Sequence, residues 1–290
     1  MTKIKIAIHN SKIGFHLRWI SYCQDNNIPH KVVNCYANDI VTQLSDCDAL
    51  MWHHSQQNPK DLVIAKQILF ALEHTGFKVF PDFKTGWHFD DKVAQKYLLE
   101  RIDAPMVKTY VFYDKRKALD WASKTEFPKV FKLRGGAGSV NVKLVNSKAQ
   151  AVKMINRAFG KGFSNYDACG SLKERWRKYR KGLQGLKEPI KGVLRFFKAP
   201  PFAKVLGREF GYVYFQDFIP KNESDTRIIV IGEKAFALKR YVRKGDFRAS
   251  GSGDFGYDKE LFDERCVDIS FKATKKIDSQ CAVFDFVFDD

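Results

Sequence analysis

From Lys3 to Asp90, short apolar runs (Ile4-Ile6-Ile8, Val32-Val33, Ala49 to Trp52, Val79-Phe80) take turns with stretches of helical period, notably Leu62 to Leu72. Strands joined through helices lie parallel, with the helices covering the sheet, so this order leaves few architectures open. The first 89 residues therefore predict a small Rossmann-like α/β layer domain.

A second unit begins at Asp90, with a helix through Ile102, a strand from Val107 to Phe112, a helix over 116–125 and a strand over 129–133. A strand over 140–145 and a helix over 148–159 complete it. From residue 211 the pattern is mostly strands, at 212–219, 226–231 and 234–243. A polar loop to 257, a helix near 259–277 and a last strand from Ala282 to Phe288 follow.

Between these units the segment 171–210 carries twelve Lys/Arg against three Glu, about half of the net charge of +17. Its residues Leu172, Trp176, Tyr179, Leu183, Leu186, Ile190, Leu194 and Phe197 recur at intervals of four and three. They predict one amphipathic helical stripe, interrupted at Pro189. Two readings stay open: an insertion packed on the body with a solvated basic face, or a surface that docks an acidic polymer, a polysaccharide or an anionic membrane.

No apolar run approaches membrane-spanning length, and lysines interrupt the apolar residues of MTKIKIAIHN, so neither a membrane span nor a signal peptide is predicted. A cytoplasmic location is expected, with the basic segment as a route to a membrane surface. Six cysteines without C-x-x-C spacing argue against a zinc site or disulfide framework and predict buried thiols. All seven histidines precede residue 90; His53-His54 follows a strand and is expected at the surface or hydrogen-bonded.

Residues 130–141 read VFKLRGGAGSVN, a strand that ends in Lys132 and opens into a loop containing Gly135, Gly136, Gly138 and Ser139. One fixed cation beside a run of backbone N–H groups is the equipment for covering a polyphosphate. The loop lacks the Gly-Lys-Ser/Thr ending of a P-loop, and Asn141 stands where the dinucleotide fingerprint needs its third glycine. Asp254-Phe255-Gly256 has no His-Arg-Asp loop before it, which excludes a protein kinase. The basic, aromatic segment has no RNA-binding motif beside it, which disfavours nucleic acid.

The order of these features resembles the ATP-grasp superfamily, particularly its glutathione-synthetase-like and ribosomal-protein-modifying glutamate ligases, across residues 1–290. The segment DDKVAQKYLLERIDAPMVKTYVF is similar to the start of the family's central domain, YVYFQDFIP to its hinge, DFRASGSG to its substrate loop and AVFDFVFDD to its metal strand. The resemblance implies an α/β (α+β) ATP-grasp fold in which two α+β subdomains clasp ATP. The implied divisions are 1–89, a central subdomain at 90–160, the basic insertion at 161–210 and a C-terminal subdomain at 211–290.

It further implies that Lys92 and Lys132 approach the phosphates under a lid containing Gly136, Gly138 and Ser139. Gln216, Asp217 and Phe218 would read the adenine, Asp225 the ribose, and Arg227 the phosphates. Arg240 and Arg248 would face the reacting carboxylate, and Asp285 would hold Mg2+. The family's Glu-x-Asn metal segment would follow Asp290, so a continuing chain is expected. The substrate loop has Arg248-Ala249-Ser250 where relatives often place an asparagine.

The implied activity is an ADP-forming, C–N bond-forming ligase that passes through an acylphosphate on an acidic small-molecule or polymeric substrate, in glycan or peptide biosynthesis. A kinase acting on a hydroxyl and a nucleotide- or polyanion-binding protein without turnover remain alternatives. Cations suffice for such chemistry, since transferring a phosphoryl group to a carboxylate demands charge neutralisation more than proton transfer.

Overall fold

The computed structural model describes residues 4–11, 13–135, 141–180, 182, 184–243 and 245–289. Gly136, Gly138 and Ser139 lie outside the described residues. The chain divides into two compact units, Met1–Phe89 with Ile277–Ala282, and Asp90–Lys276 with Val283–Asp290. Among the described residues no helix is long and apolar enough to cross a membrane.

The first unit contains β1 (Ile6–His9), α1 (His16–Asp25), β2 (His30–Val33), α2 (Ile40–Gln43), β3 (Ala49–Met51), α3 (Pro59–His74), β4 (Lys78–Phe80) and α4 (Phe83–Gly86). Its strands form a parallel sheet in the order β2-β1-β3-β4. Asn58 caps α3 by accepting from the Lys60 backbone at 3.1 Å, and Pro59 takes the first turn, where no N–H is needed. The period that predicts this helix buries Ala65, Leu69 and Leu72 against Ala7, Leu50 and Trp52.

His9, His16 and His54 are buried, and burial pushes the His54 imidazole down to about 4. Cys23, Cys35, Cys47 and Cys266 are the expected buried thiols, whereas Cys169 is exposed.

The second unit opens with α5 (Lys92–Arg101), whose N-cap Asp91 accepts from Val93 and Ala94 at 3.1 and 2.9 Å. Next come β5 (Thr109–Phe112), α6 (Lys115–Lys124), β6 (Lys129–Lys132), β7 (Lys143–Val145), α7 (Lys148–Ala158) and β8 (Phe163–Ser164). The basic segment folds as α8 (Ala168–Arg180), α9 (Lys187–Leu194) and α10 (Pro201–Leu206), not as one stripe broken at Pro189. That proline sits in the first turn of α9, where a missing N–H costs no helical bond. β9 (Arg208–Glu209) pairs antiparallel with β8 and closes the base of the insertion.

β10 (Val213–Asp217), grouped by the sequence pattern with the later strands, lies instead between β5 and β6. It is antiparallel to both, in a sheet ordered β5-β10-β6-β7. Alternation explains the fit: Val213, Phe215 and Phe131 point into the core with α6 and α7, which turns Tyr214, Gln216 and Lys132 to the other face. Full burial of each phenylalanine is worth roughly 1.5–3 kcal/mol.

β11 (Ser224–Ile231) and β12 (Lys234–Tyr241) form a hairpin around Gly232-Glu233, with Gly232 at φ +56°. With β13 (Phe255–Gly256), α11 (Glu264–Lys276) and β14 (Cys281–Phe286) they complete a sheet ordered β13-β12-β11-β14. Ile228, Val230, Ala235, Ala237 and Phe286 face α11. The opposite face is left to Asp225, Arg227, Arg240 and Asp285 by the two-residue period of a strand.

Candidate active site

Lys132 ends β6 and reaches across to Gln216 of β10, donating from Nζ to Oε1. Gln216 in turn donates from Nε2 to Thr109 Oγ1 at 3.0 Å and the Val107 carbonyl at 3.4 Å, which fixes its amide orientation. Burial pushes the Lys132 amine down to about 8; Lys92 adds to the shift and Asp285 opposes it. The backbone N–H of Lys92 donates to the Arg134 carbonyl at 3.0 Å, so the first turn of α5 is tied to the end of β6. Burial lowers the Lys92 amine too, against Asp90, Glu209 and Asp91; its Nζ stands 3.9 Å from Asp90 Oδ1. Two half-buried lysines thus share one neighbourhood, which favours a polyanion between them.

At the end of β10, the Asp217 N–H donates to the Lys108 carbonyl at 2.9 Å and its carboxylate accepts from Lys129 Nζ at 2.5 Å. The Phe218 ring meets Phe247 edge-on at 6.0 Å, which brings the segment 246–253 beside the end of β10. There Arg248 donates to both oxygens of Asp246, at 2.9 and 2.8 Å, and Asp246 also accepts the N–H groups of Phe247 and Arg248.

Asp225 and Arg240 are direct cross-strand partners in the hairpin. Arg240 is 4% exposed and donates twice to Asp225, at 2.6 Å each, and once to Asp285 at 2.8 Å. Arg227, two residues along the same face of β11, donates to both oxygens of Asp285 at 2.7 and 2.8 Å. Burial pushes the Asp225 carboxyl above its ordinary value, with Arg240 opposing. Burial would raise Asp285 as well, but Arg227 and Arg240 together hold it below the usual carboxylate range. The structure therefore brings Asp225, Arg227, Arg240 and Asp285 into one network, and Asp285 is the member that Lys132 senses.

A divalent cation needs several oxygen ligands with few competing cations. Both oxygens of Asp285 are engaged by guanidiniums, and among the described residues no three His, Cys, Asp or Glu side chains gather as a metal site. This donor set does not fit magnesium as arranged.

The residue pattern alone missed Glu209 and Tyr212. Glu209 is buried at the base of the insertion and accepts from the Gly135 N–H at 3.4 Å and from the Tyr212 hydroxyl. Tyr212 also accepts from the Arg134 N–H at 2.6 Å. On the far side, Asn141 donates to the Ser164 carbonyl at 3.1 Å. Both roots of the glycine loop are thus held by the β8–β9 base. The available signal was an isolated acid in a basic segment, immediately before YVYFQDF.

No protein-family model matches the chain. A RimK domain ATP-grasp protein from Sphaerobacter thermophilus aligns over 98% of this chain and 86% of its own, with TM-score 0.57 and 14% identity. This chain has the ATP-grasp fold. The biotin carboxylase domain of 2-oxoglutarate carboxylase from Hydrogenobacter thermophilus, solved with MgADP, ADP and bicarbonate, shares it at TM-score 0.58 and 14% identity. That alignment covers 100% of this chain and 62% of that one. The ATP-grasp ligase PsnB, solved with a minimal precursor, follows at TM-score 0.53 and 12% identity over 98% and 86%. In sequence, the alpha-aminoadipate–LysW ligase LysX of Saccharolobus solfataricus is 25% identical over 132 residues, 42% of this chain and 46% of the relative. The match spans about half the length of that curated relative. In this ATP-grasp chain, the sheet bearing Lys132 and the sheet bearing Arg240 belong to one compact unit.

Proposed function

We propose that the chain is an ATP-dependent carboxylate–amine ligase. The observation that carries this reading is the convergence of two half-buried lysines: Lys132, clasped by Gln216 of the central strand, and Lys92 beside it. Their ammonium groups would neutralise the transferring phosphoryl group in a site poor in water, where charge acts most strongly. Backbone groups around Asp217 and Phe218 would take the adenine, and the ribose hydroxyls would compete with Arg240 for Asp225.

Arg240 and Arg248 are proposed to hold the reacting carboxylate and the oxyanion that follows, and Arg227 to face the phosphates. A carboxylate oxygen attacks the terminal phosphorus and ADP leaves. An amine then attacks the acyl carbon of the acylphosphate, phosphate departs, and the amine gives up a proton. LysX is a ligase of alpha-aminoadipate and LysW, and PsnB is solved with a peptide precursor. An acidic small molecule or peptide is accordingly the substrate class proposed here, and the cytoplasm, where ATP is made available, the place of action.

Hydroxylamine traps acylphosphates as hydroxamates and tests the reading without the natural amine. Incubation with ATP and a panel of amino-dicarboxylates and acidic peptides is expected to give ADP and a hydroxamate. ADP with a stable phosphoester would reassign the chain as a kinase, and AMP with pyrophosphate would place attack at the α-phosphate and overturn both.

A further inference from the structure

Helix α9 packs one face on α8 and turns the other to solvent. The inner contact is close: Gly192 is buried, and a Cβ built there would lie 2.9 Å from Leu172 and 3.1 Å from Arg175. An ion pair between Arg175 and Glu188 closes the same side. The outer face carries Ile190, Val193 and Leu194, continued by Leu186 at the N-cap and Phe197 in the turn after the helix, the five spaced by four, three, one and three residues. Each is about half exposed or more, and Phe197 reaches 88%. An apolar stripe of this kind on a soluble surface marks an interaction site.

Its surroundings are cationic. Lys187, Lys191, Arg195 and Lys198 lie along the same stretch, and its single acid, Glu188, is neutralised by Arg175 and by Lys191 at 2.6 Å. On α8, three further cations, Lys173, Arg177 and Arg180, line a shallow hollow with the exposed indole of Trp176. A single helix face is a convex ridge. It suits a fluid partner that yields around it, and the cations call for negative charge at the edge of that partner.

We propose that the insertion is an interfacial anchor that seats on an anionic phospholipid bilayer. Leu194, Phe197 and Ile190 enter the boundary between headgroups and acyl chains, and the flanking lysines and arginines lie among the phosphates. An acidic polypeptide matches the charge but would have to bring its own groove for the ridge. The inference is independent of the ligase reading, since the ridge contains none of the site residues named above.

The test is co-sedimentation of the full chain with vesicles of phosphatidylcholine alone, or with about one third phosphatidylglycerol added. Binding is expected only to the anionic vesicles. The double variant Leu194→Ser, Phe197→Ser should weaken it about tenfold or more, with ATP turnover on a soluble acid unchanged. The triple variant Lys187→Gln, Lys191→Gln, Arg195→Gln should weaken it most at low salt. No sedimentation with anionic vesicles, or equal sedimentation of parent and double variant, would overturn the proposal. It also falls if poly-L-glutamate retains the parent, but not the variants, while vesicles do not.

Discussion

The cations of the two sheets and the cations of the helical insertion are the same residue types in opposite situations. In the sheets and the loop beside them several site cations are held by acids: Arg227 with Asp285, Arg240 with Asp225, Arg248 with Asp246, Lys129 with Asp217. In the insertion they outnumber the acids four to one, twelve against three in 171–210. Cations held by acids have fixed positions and can meet a developing charge without reorganising. Unpaired surface cations supply a diffuse field that follows ionic strength. A net charge of +17 therefore covers two different situations, and counting charges cannot separate them.

The largest expected effect comes from breaking the buried network. Arg240→Ala would leave Asp225 and Asp285 without their shared guanidinium, and removing one partner of a buried pair costs about 3–5 kcal/mol. Urea unfolding of parent and variant measures this. A loss below about 1 kcal/mol would place the network among ordinary surface pairs and erase the contrast with the insertion.

Next is Lys132. Desolvation pushes its amine down to about 8, far below an ordinary lysine. Below that pH it is charged and attracts phosphate. As pH rises through about 8 it loses the proton, so ATP affinity should fall by up to about tenfold per unit. Lys132→Met should remove this dependence and lower turnover about 10²–10³-fold, the usual cost of deleting one preorganised donor. Calorimetric titration of ATP across pH 6.5–9.5 reads both effects. An unchanged pH profile in the variant would detach Lys132 from the phosphate site.

Much of this was legible in the residues, and the remainder was hidden for physical reasons. Local periodicity locates α3 and β6, because each buries a face with its own spacing, and Asp91 as N-cap marks the start of α5. It cannot place Val213–Asp217 between β5 and β6, since a strand's neighbours are set by long-range pairing. The Asp225–Arg240 pair was within reach, because a two-residue turn at Gly232-Glu233 fixes the hairpin register. Glu209 was not, since its role depends on where β9 returns after the insertion. The stripe 186–197 shows a further limit: spacing identifies an apolar helix face but not whether the protein covers it, and here it does not.

The smallest expected effect lies at the insertion's surface. Lys191 donates to Glu188 at 2.6 Å, yet its side chain is 61% exposed, and Glu188 keeps Arg175 as a second partner. Water and salt screen such a pair, and holding a lysine in place costs side-chain entropy, so Lys191→Gln should change stability by less than about 1 kcal/mol. Urea unfolding at low and high salt would measure it, with the small difference between parent and variant vanishing as salt rises. A loss comparable to that of Arg240→Ala would mean that the insertion's charges are structural, and its outward cations would then need no partner to explain them.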